Sequence, residues 1–161
     1  MIKQILDKTE KQKIARQILE ALPEWFEVEE GREEYIAGCV DWIFLADFSE
    51  DAQPAYEGKN DCCTGFLCLK ETGNATVEIA VMGVRKDYHR KGIGKQLVEK
   101  SKEIARESGY SFMQVKTVQL GKYEDYDRTN HFYIACGFKE FEVFPLLWDE
   151  ANPCQIYVMS L

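Results

Sequence analysis

The sequence predicts one mixed domain of strands and helices, of the α+β (mixed α/β) class, over residues 1–161. The length of 161 residues suits a single domain. Apolar residues at helical spacing alternate with short strand-like runs. The elements follow in the order β-α-α-β-β-β-α-β-α-β-β, which is typical of a mixed sheet with helices on its faces.

The first half of the chain supplies six of these elements. We expect a short strand with Ile2 and Ile5, and a helix whose apolar face is Ile14, Ala15, Ile18, Leu19 and Leu22, stopped by Pro23. The glutamate-rich residues 24–34 predict an exposed second helix or loop-helix. Buried or paired strands are expected at Val40–Ala46, Thr64–Lys70 and Thr76–Val84, with a turn at Thr72-Gly73-Asn74 between the last two.

The second half begins with the most regular helix pattern. Its apolar face is Ile93, Leu97, Val98, Ser101, Ile104 and Ala105, and it ends near Gly109. A strand at Phe112–Val118 and a short helix at Thr129–Cys136 follow, with Gly137 at the expected left-handed cap. The last two strands are predicted at Phe138–Phe144 and Gln155–Leu161, separated by a loop that holds Pro145 and Pro153.

Composition excludes several classes of protein. Apolar residues make up 45% of the chain, which is enough for a core and too much for a disordered chain. The formal net charge of -8 disfavours a nucleic-acid binder and a polybasic membrane module. No apolar segment of signal-peptide type opens the chain, and the longest apolar run, Trp42–Ala46, is far below the roughly 20 residues of a membrane span. These features predict a soluble, cytoplasmic protein.

The cysteines indicate free thiols in a reducing compartment. There are six of them, but no Cys-x-x-Cys pair, and the chain has two histidines. We therefore expect neither a disulfide framework nor a metal site.

A basic cluster interrupts the acidic chain. Arg85, Lys86, Arg90, Lys91 and Lys95 lie together with Asp87 as the one acid among them. They belong to a strand–loop–helix segment, Val81–Lys95, in which Gly92 and Gly94 stand at the start of the helix. The first N–H groups of a helix have no internal acceptor and carry the positive end of its dipole. The segment therefore predicts a polyphosphate site.

Two common phosphate motifs do not fit this segment. Gly94-Lys95-Gln96 lacks the Ser or Thr that ends a Walker A loop, and the Rossmann pattern needs a third glycine. The segment resembles motif A of the GNAT superfamily, Q/R-x-x-G-x-G/A, because His89-Arg90-Lys91-Gly92-Ile93-Gly94 matches both glycines. His89 departs from the usual Gln or Arg, which leaves its side-chain role open.

A second motif supports the same resemblance. Tyr126-x-x-Thr129-x-x-Phe132-Tyr133-x-x-x-Gly137-Phe138 is similar to the later helix motif of the family, which ends Tyr-x-x-x-Gly-Phe. The resemblance implies a central mixed, mostly antiparallel sheet of about seven strands flanked by about four helices. It also implies an N-acetyltransferase that moves the acetyl group of acetyl-CoA to a primary amine by direct attack in a ternary complex.

The resemblance also assigns candidate site residues. It implies Tyr133 as general acid and Glu78 as base. It implies that the cofactor is bound by Met82, Gly83, Val84, His89, Arg90, Lys91, Gly92, Ile93, Gly94 and Lys95. Tyr133 packing between helix and sheet, and Glu78 as an ordinary strand carboxylate, stay open. Strict alternation puts Glu78 on one face with Ala80 and Met82, although a bulge in this strand would change the face.

The acceptor is less well defined by the sequence. The glutamates of residues 24–34 and Tyr35, with Asp47, Glu50 and Asp51, would attract a small cationic amine, but a protein amino group remains the other choice. His131 is expected at the surface and Cys136 in the core, and the role of Tyr126 stays open. Cys154 is expected in the last loop and not in a covalent mechanism.

Two other functions compete with the enzyme. A non-catalytic acyl-CoA-binding or sensing module would keep the phosphate loop without the acid and base. A nucleic-acid patch at residues 85–95 would bind in a salt-sensitive way. Homodimers are common in the family, and the sequence leaves the oligomeric state open.

Overall fold

The computed structural model describes residues 1–49 and 63–161. The strands are β1 (Ile2–Ile5), β2 (Ile43–Phe48), β3 (Cys63–Gly73), β4 (Thr76–Val84), β5 (Phe112–Val118), β6 (Lys139–Asp149) and β7 (Asn152–Ser160). The helices are α1 (Lys8–Glu20), α2 (Glu29–Gly38), α3 (Ile93–Glu107) and α4 (Glu124–Ala135), with 3₁₀ turns at Cys39–Asp41 and Lys86–Tyr88. Their order along the chain is the predicted one.

The strands form one sheet in the order β1-β2-β3-β4-β5-β7-β6. The pairs β1–β2, β2–β3, β5–β7 and β6–β7 are antiparallel, and β4 with β5 is parallel. The register of the parallel pair runs from Thr76 opposite Phe112 to Ile79 opposite Val115. The predicted mixed, mostly antiparallel sheet of seven strands with four helices is confirmed for the described residues.

The chain divides into two compact units. The first comprises Met1–Lys70 with Ala80–Ser101, and the second comprises Glu71–Ile79 with Lys102–Leu161. The single domain over residues 1–161 therefore stays a prediction.

In the first unit, the inward face of α1 packs on the core of the unit. Ile14 and Ile18 are almost fully buried, and the stacked rings of Phe44 and Phe66 lie 5.1 Å apart in the same cluster. Asp7 caps the start of the helix by accepting a hydrogen bond of 2.8 Å from the backbone N–H of Glu10. The helix ends at Glu20, ahead of Pro23, as the proline predicts.

The strand predicted at Val40–Ala46 is wrong at its start. Residues Cys39–Asp41 form a 3₁₀ turn that continues from α2, and β2 begins only at Ile43. The buried Lys11 explains this, because its ammonium donates to the carbonyl oxygens of Val40 and Trp42 at 3.1 and 2.7 Å. Carbonyls held by a side chain of α1 are not free to join a strand ladder.

In the second unit, the predicted loop with Pro145 and Pro153 is also wrong. Strand β6 runs on to Asp149 and β7 begins at Asn152, so both prolines lie in strands joined by a tight turn. Proline lacks the N–H that a ladder needs, but β6 is an edge strand and its register shifts between Phe144 and Asp149. An edge strand with a bulge tolerates Pro145 for that reason, and Pro153 lies at the start of β7, one residue after Asn152.

Helix α4 is longer than the predicted Thr129–Cys136. It begins at Glu124, where the first turn is polar and shows no apolar periodicity. Acidic residues Glu124, Asp125 and Asp127 favour the positive end of the helix dipole in this turn. Asp127 also accepts a hydrogen bond of 2.8 Å from the backbone N–H of Gly121, which fixes the entry into the helix.

Candidate functional site

Burial alternates without a break along β4. Val77, Ile79, Val81 and Gly83 are buried, and the residues between them are half-exposed. Glu78 and Met82 therefore belong to the half-exposed set, as strict alternation predicts.

In the first unit, β4 passes through a 3₁₀ turn into the start of α3. Arg90 and Gly92 both have left-handed backbones, with φ of 61° and 81°. Such a conformation costs a side chain energy, and glycine adopts it freely. The first helical hydrogen bond runs from Gln96 N–H to Gly92 C=O at 3.0 Å. The N–H groups of Ile93, Gly94 and Lys95 precede it and have no acceptor within the helix, so they can bind an anion.

His89 fastens this turn to the end of β4. Its Nε2 lies 2.6 Å from the carbonyl oxygen of Val84. A carbonyl only accepts, so Nε2 carries the proton and donates it. The edge of the exposed His89 ring also faces the half-buried Trp25, with ring centres 6.0 Å apart. The side chain that departs from the family pattern therefore braces the turn.

The basic cluster is divided between paired and open cations. Lys86 forms an ion pair with Glu24, and its hydrogen bond lowers the pKa of that carboxyl. The guanidinium of Arg85 lies 3.9 Å from the Asp87 carboxylate and 5.3 Å from the centre of the Tyr88 ring. The ammonium of Lys91 lies over the same ring, at 4.7 Å, but has no acid partner in the described residues. The exposed side chains at the start of α3 have no ion pair with any residue in 1–49 or 63–161. They are Arg90, Lys91 and Lys95.

Gly83 is a glycine because α1 lies against it. A Cβ atom there would meet Cγ2 of Ile18 and Cδ1 of Leu22, both at 3.0 Å. On the neighbouring strand, a Cβ atom at Gly65 would lie 3.0 Å from the carbonyl oxygen of Gly83. Close packing against Ile18 and Leu22 therefore favours a residue without a side chain at Gly83, and the approach of the Gly83 carbonyl favours glycine at Gly65.

In the second unit, Tyr133 is buried on the inner face of α4. Its ring centre lies 5.7 Å from that of Phe138 and 6.4 Å from that of Tyr157. Only 6% of Tyr133 is exposed. The packing role that the sequence left open is therefore real, and the role as a general acid stays a prediction.

Asn130 is a site-supporting residue that sequence reasoning missed. The fully buried amide donates to the carbonyl oxygens of Val118 and Tyr126 at 2.8 and 2.7 Å. It also accepts a hydrogen bond of 2.6 Å from the hydroxyl of Tyr157. Asn130 thus ties α4 to β5 and β7 one turn before Tyr133. The spacing of three residues was the available signal, since it puts both side chains on one helix face.

Glu78 in the same unit is paired with a cation. Lys116 Nζ lies 3.2 Å from Glu78 Oε1, and the two side chains are 29% and 12% exposed. Lys116 was also missed by sequence reasoning, although a lysine inside the apolar run Phe112–Val118 was the signal. The ion pair places the Glu78 side chain beside a cation of the neighbouring strand β5.

Cys154 is fully buried in β7 and not in a loop as predicted. Burial raises the pKa of its thiol to about 11, the nearby Lys116 lowers it, and Glu78 raises it further. A thiol with so high a pKa is almost entirely protonated at neutral pH and is a poor nucleophile. This agrees with leaving Cys154 out of the mechanism.

Comparison with known proteins identifies the family. Residues 15–138 match the acetyltransferase (GNAT) family, a range that includes both motifs. The chain belongs to this family. The uncharacterized N-acetyltransferase YvbK of Bacillus subtilis strain 168 is 31% identical over 107 residues, which is 62% of this chain and 66% of YvbK. The match thus covers just under two thirds of that relative.

Solved structures share the fold of this acetyltransferase. A GNAT-family protein from Desulfovibrio desulfuricans has a TM-score of 0.73 and 17% identity, and covers 99% of this chain and 98% of its own. An aminoglycoside 6'-N-acetyltransferase complexed with coenzyme A has a TM-score of 0.72 and 15% identity, over 99% and 96% of the two chains. Recognition of the family and the prediction of an acyltransferase enzyme are confirmed.

Of Asp47, Glu50 and Asp51, which are predicted to attract an amine, only Asp47 lies in the described part of the chain, and it is buried. Asp47 is buried inside β2, where it accepts from the Thr64 hydroxyl at 2.6 Å and from the Met1 amino group at 3.2 Å. These contacts leave it no exposed charge for an amine. Glu50 and Asp51 lie outside the described residues.

The acidic stretch 24–34 is partly neutralised. Glu33 accepts two hydrogen bonds from Arg16, at 2.6 and 2.9 Å, and Glu24 pairs with Lys86. Four glutamates of this stretch are exposed and form no ion pair within the part of the chain that the structure describes: Glu27, Glu29, Glu30 and Glu34. His131 is exposed on α4, as predicted.

Two kinds of feature, a membrane-spanning helix and a cluster of metal-binding side chains, are absent from the described part of the chain. No helix in it is long and apolar enough to cross a membrane. Residues 1–49 and 63–161 also contain no group of three or more His, Cys, Asp and Glu side chains placed to hold a metal ion. The cytoplasmic location stays a prediction.

Proposed function

We propose that this acetyltransferase moves the acetyl group of acetyl-CoA to a primary amine by direct attack in a ternary complex. The observation that carries the proposal is the start of α3. Free N–H groups, left-handed Gly92 and three exposed cations without acid partners in the described residues meet there. A cluster of this kind binds a pyrophosphate, the doubly charged link between the two ends of acetyl-CoA.

The cofactor contacts follow from this placement. Backbone N–H groups of Gly92, Ile93, Gly94 and Lys95 bind the pyrophosphate, and the cations of the basic cluster add charge. Backbone groups of Met82, Gly83 and Val84 bind the pantetheine arm. The Val84 carbonyl already accepts from His89, and its second lone pair remains for the cofactor. The shared fold with a protein complexed with coenzyme A supports this part of the proposal.

The chemistry assigns one group to each proton. The acceptor amine must lose its proton before attack, and Glu78 takes that proton through a water. The amine nitrogen forms a bond to the acetyl carbon, and the bond from carbon to sulfur then breaks as the tetrahedral intermediate collapses. Tyr133 gives its phenolic proton to the departing CoA thiolate and recovers a proton from the new amide nitrogen, which is the second proton that the amine loses. The N–H of Met82 or Gly83 stabilises the intermediate oxyanion.

The proposed acceptor is a small cationic amine. The exposed glutamates of residues 24–34 and the net charge of -8 favour a cation at the surface. The fold neighbours that act on aminoglycosides, which are cationic amines, support the same class. A protein amino group is the second class of acceptor, and the assay below includes it.

The decisive experiment is a CoA-release assay over a panel of amines. The panel holds an aminoglycoside, a polyamine and a lysine-containing peptide, and each is tested with wild type and Tyr133→Phe. We expect turnover with at least one cationic small amine and a lower kcat in the variant. Turnover unchanged by Tyr133→Phe would remove Tyr133 from the mechanism. No turnover on any amine, with acetyl-CoA still bound, would favour an acyl-CoA-binding module.

The proposal includes a homodimer formed through β6. This edge strand exposes large apolar side chains, at 66% for Phe141, 75% for Leu146, 52% for Leu147 and 45% for Trp148. An exposed apolar edge strand has unpaired backbone N–H and C=O groups and pairs readily with another strand. The same strand of a second copy can provide this partner about a twofold axis. Sedimentation of wild type should give a dimer, and Leu146→Lys should give a monomer. A wild-type monomer at all concentrations would refute the dimer.

A further inference from the structure

A cavity of about 340 Å³ opens in the second unit, and it shares no residue with the proposed acetyl-CoA or catalytic groups. Its wall includes the last turns of α3, the first residues of β5 and β6, and the end of β7. The volume lies in the range of ligand pockets, about 300–1,000 Å³. The cavity is therefore large enough to hold a small organic molecule.

Every charged side chain in the wall is a cation. They are Lys102, Arg106 and Lys139. This is unexpected in a chain whose net charge is -8. Lys102 and Arg106 stand four residues apart on α3, so they lie on one helix face and repel each other. Arg106 and Lys139 have no ion pair with any residue that the structure describes.

The helix dipole does not account for the whole cluster. A cation in the last turn is stabilised by the negative end of the dipole, which explains Arg106. Lys139, however, belongs to β6 and reaches the same cavity from another element. Helix α3 also has Glu103 and Glu107 in sequence beside the two cations, yet neither acid lines the wall. The positive charge is thus concentrated on this cavity.

Apart from Ser160, the rest of the wall is mainly apolar. Phe112 is 46% exposed, and Val158 and Met159 lie beside it in the cavity. An exposed aromatic ring next to Arg106 and Lys139, which have no ion pair within the described residues, suits a ligand that has both an apolar body and a negative charge. Such a ligand shields the ring from water and neutralises the two cations.

We propose that this cavity binds an amphipathic organic anion. A carboxylate or phosphate group pairs with Arg106 and Lys139, and an apolar group of the same molecule packs on Phe112. The site goes beyond the proposed transfer reaction, since none of its residues takes part in that reaction.

The test titrates the CoA-saturated protein with phenyl phosphate and with inorganic phosphate, and follows backbone amide shifts. Saturation with CoA fills the first anion site, so any remaining binding is separate from it. We expect phenyl phosphate to bind roughly tenfold more tightly than inorganic phosphate, with shifts at residues of the cavity. The double variant Arg106→Gln/Lys139→Gln should raise the Kd for phenyl phosphate about tenfold. Phe112→Ala should remove the preference over inorganic phosphate.

Two controls keep the test sharp. Lys13→Gln/Lys122→Gln makes the same change of charge at exposed positions outside the cavity wall and should leave the Kd unchanged. Arg106→Lys/Lys139→Arg keeps the charge and should retain binding. It keeps the proposal testable if the Gln double variant folds poorly. No binding of phenyl phosphate, or equal affinity for wild type and the Gln double variant, would overturn the proposal.

Discussion

The ring of His89 donates a hydrogen bond of 2.6 Å to the carbonyl oxygen of Val84. This contact joins the end of β4 to the turn before α3, five residues further on. It sets the backbone path on which the left-handed Arg90 and Gly92 depend. A histidine thus holds the turn at a position where the family pattern has glutamine or arginine.

Loss of this contact should weaken cofactor binding. We expect His89→Ala to raise the Kd for CoA about threefold to tenfold, since one hydrogen bond is worth about 0.5–1.5 kcal/mol. His89→Gln can donate to the same carbonyl and should restore most of the affinity. Isothermal titration with CoA measures both variants. An unchanged Kd in His89→Ala would show that the turn keeps its shape without the ring.

The ion pair between Lys116 and Glu78 should control how the base works. Glu78→Gln removes the proton acceptor and should lower kcat by about 10²-fold or more, if general-base catalysis contributes its usual share. Lys116→Met keeps the carboxylate but removes the cation that stabilises its charge. Loss of the partner at 3.2 Å should leave the Glu78 side chain less well positioned, so kcat should fall, but by less than in Glu78→Gln. A kcat identical to that of wild type would mean that Lys116 does not position Glu78.

Cys154 should behave as a buried, unreactive thiol. With a pKa of about 11, the thiolate fraction at pH 7 is about 10⁻⁴. Modification by iodoacetamide at Cys154 should therefore be slow at pH 7 and should accelerate as the pH rises towards 11, read by peptide mass spectrometry. Cys154→Ala should keep activity. Rapid labelling at neutral pH would contradict the burial and the raised pKa.

Gly83 should tolerate no side chain. Gly83→Val places a branched side chain against Ile18 and Leu22, and overpacking of this kind costs about 1–3 kcal/mol of unfolding free energy. Gly73→Val is the matched control, because nothing lies within 4 Å of a Cβ atom there. Urea unfolding of both variants measures the difference. Equal stability of the two would refute the close approach of α1.

Loss of the Asn130 side chain should lower the free energy of unfolding. Asn130→Ala leaves the hydroxyl of Tyr157 and the carbonyl of Val118 without a buried partner, which costs about 1–3 kcal/mol for each unsatisfied group. Thermal unfolding should show the loss. The control is Asn152→Ala, since that side chain bonds only within the exposed turn at Asp149 in the described structure. A smaller effect at Asn130 than at Asn152 would contradict the anchoring role.

Sequence alone determined the order of the elements and the candidate anion site at the start of α3. Both are local, because apolar periodicity defines an element, and Gly92 with the following N–H groups forms the cradle within one turn of chain. Two element ends that the sequence predicts wrongly, the start of β2 and the end of β6, depend on contacts with residues far away in the chain. Lys11 donates a hydrogen bond to the carbonyl oxygen of Val40. Strand β6 pairs with β7, and as an edge strand it tolerates Pro145.

Tertiary structure decided the surroundings of the candidate groups. The chain separates Glu78 from Lys116, and Asn130 from Tyr157, by far more than a helical turn, so no spacing in the sequence predicts those contacts. The cavity with Arg106 and Lys139 arises in the same way, from a helix end and a strand start that meet only in the folded unit. Sequence therefore specified the local backbone at the start of α3 that is proposed to bind the cofactor. The charges that surround each buried group depend on long-range packing, which sequence periodicity does not encode.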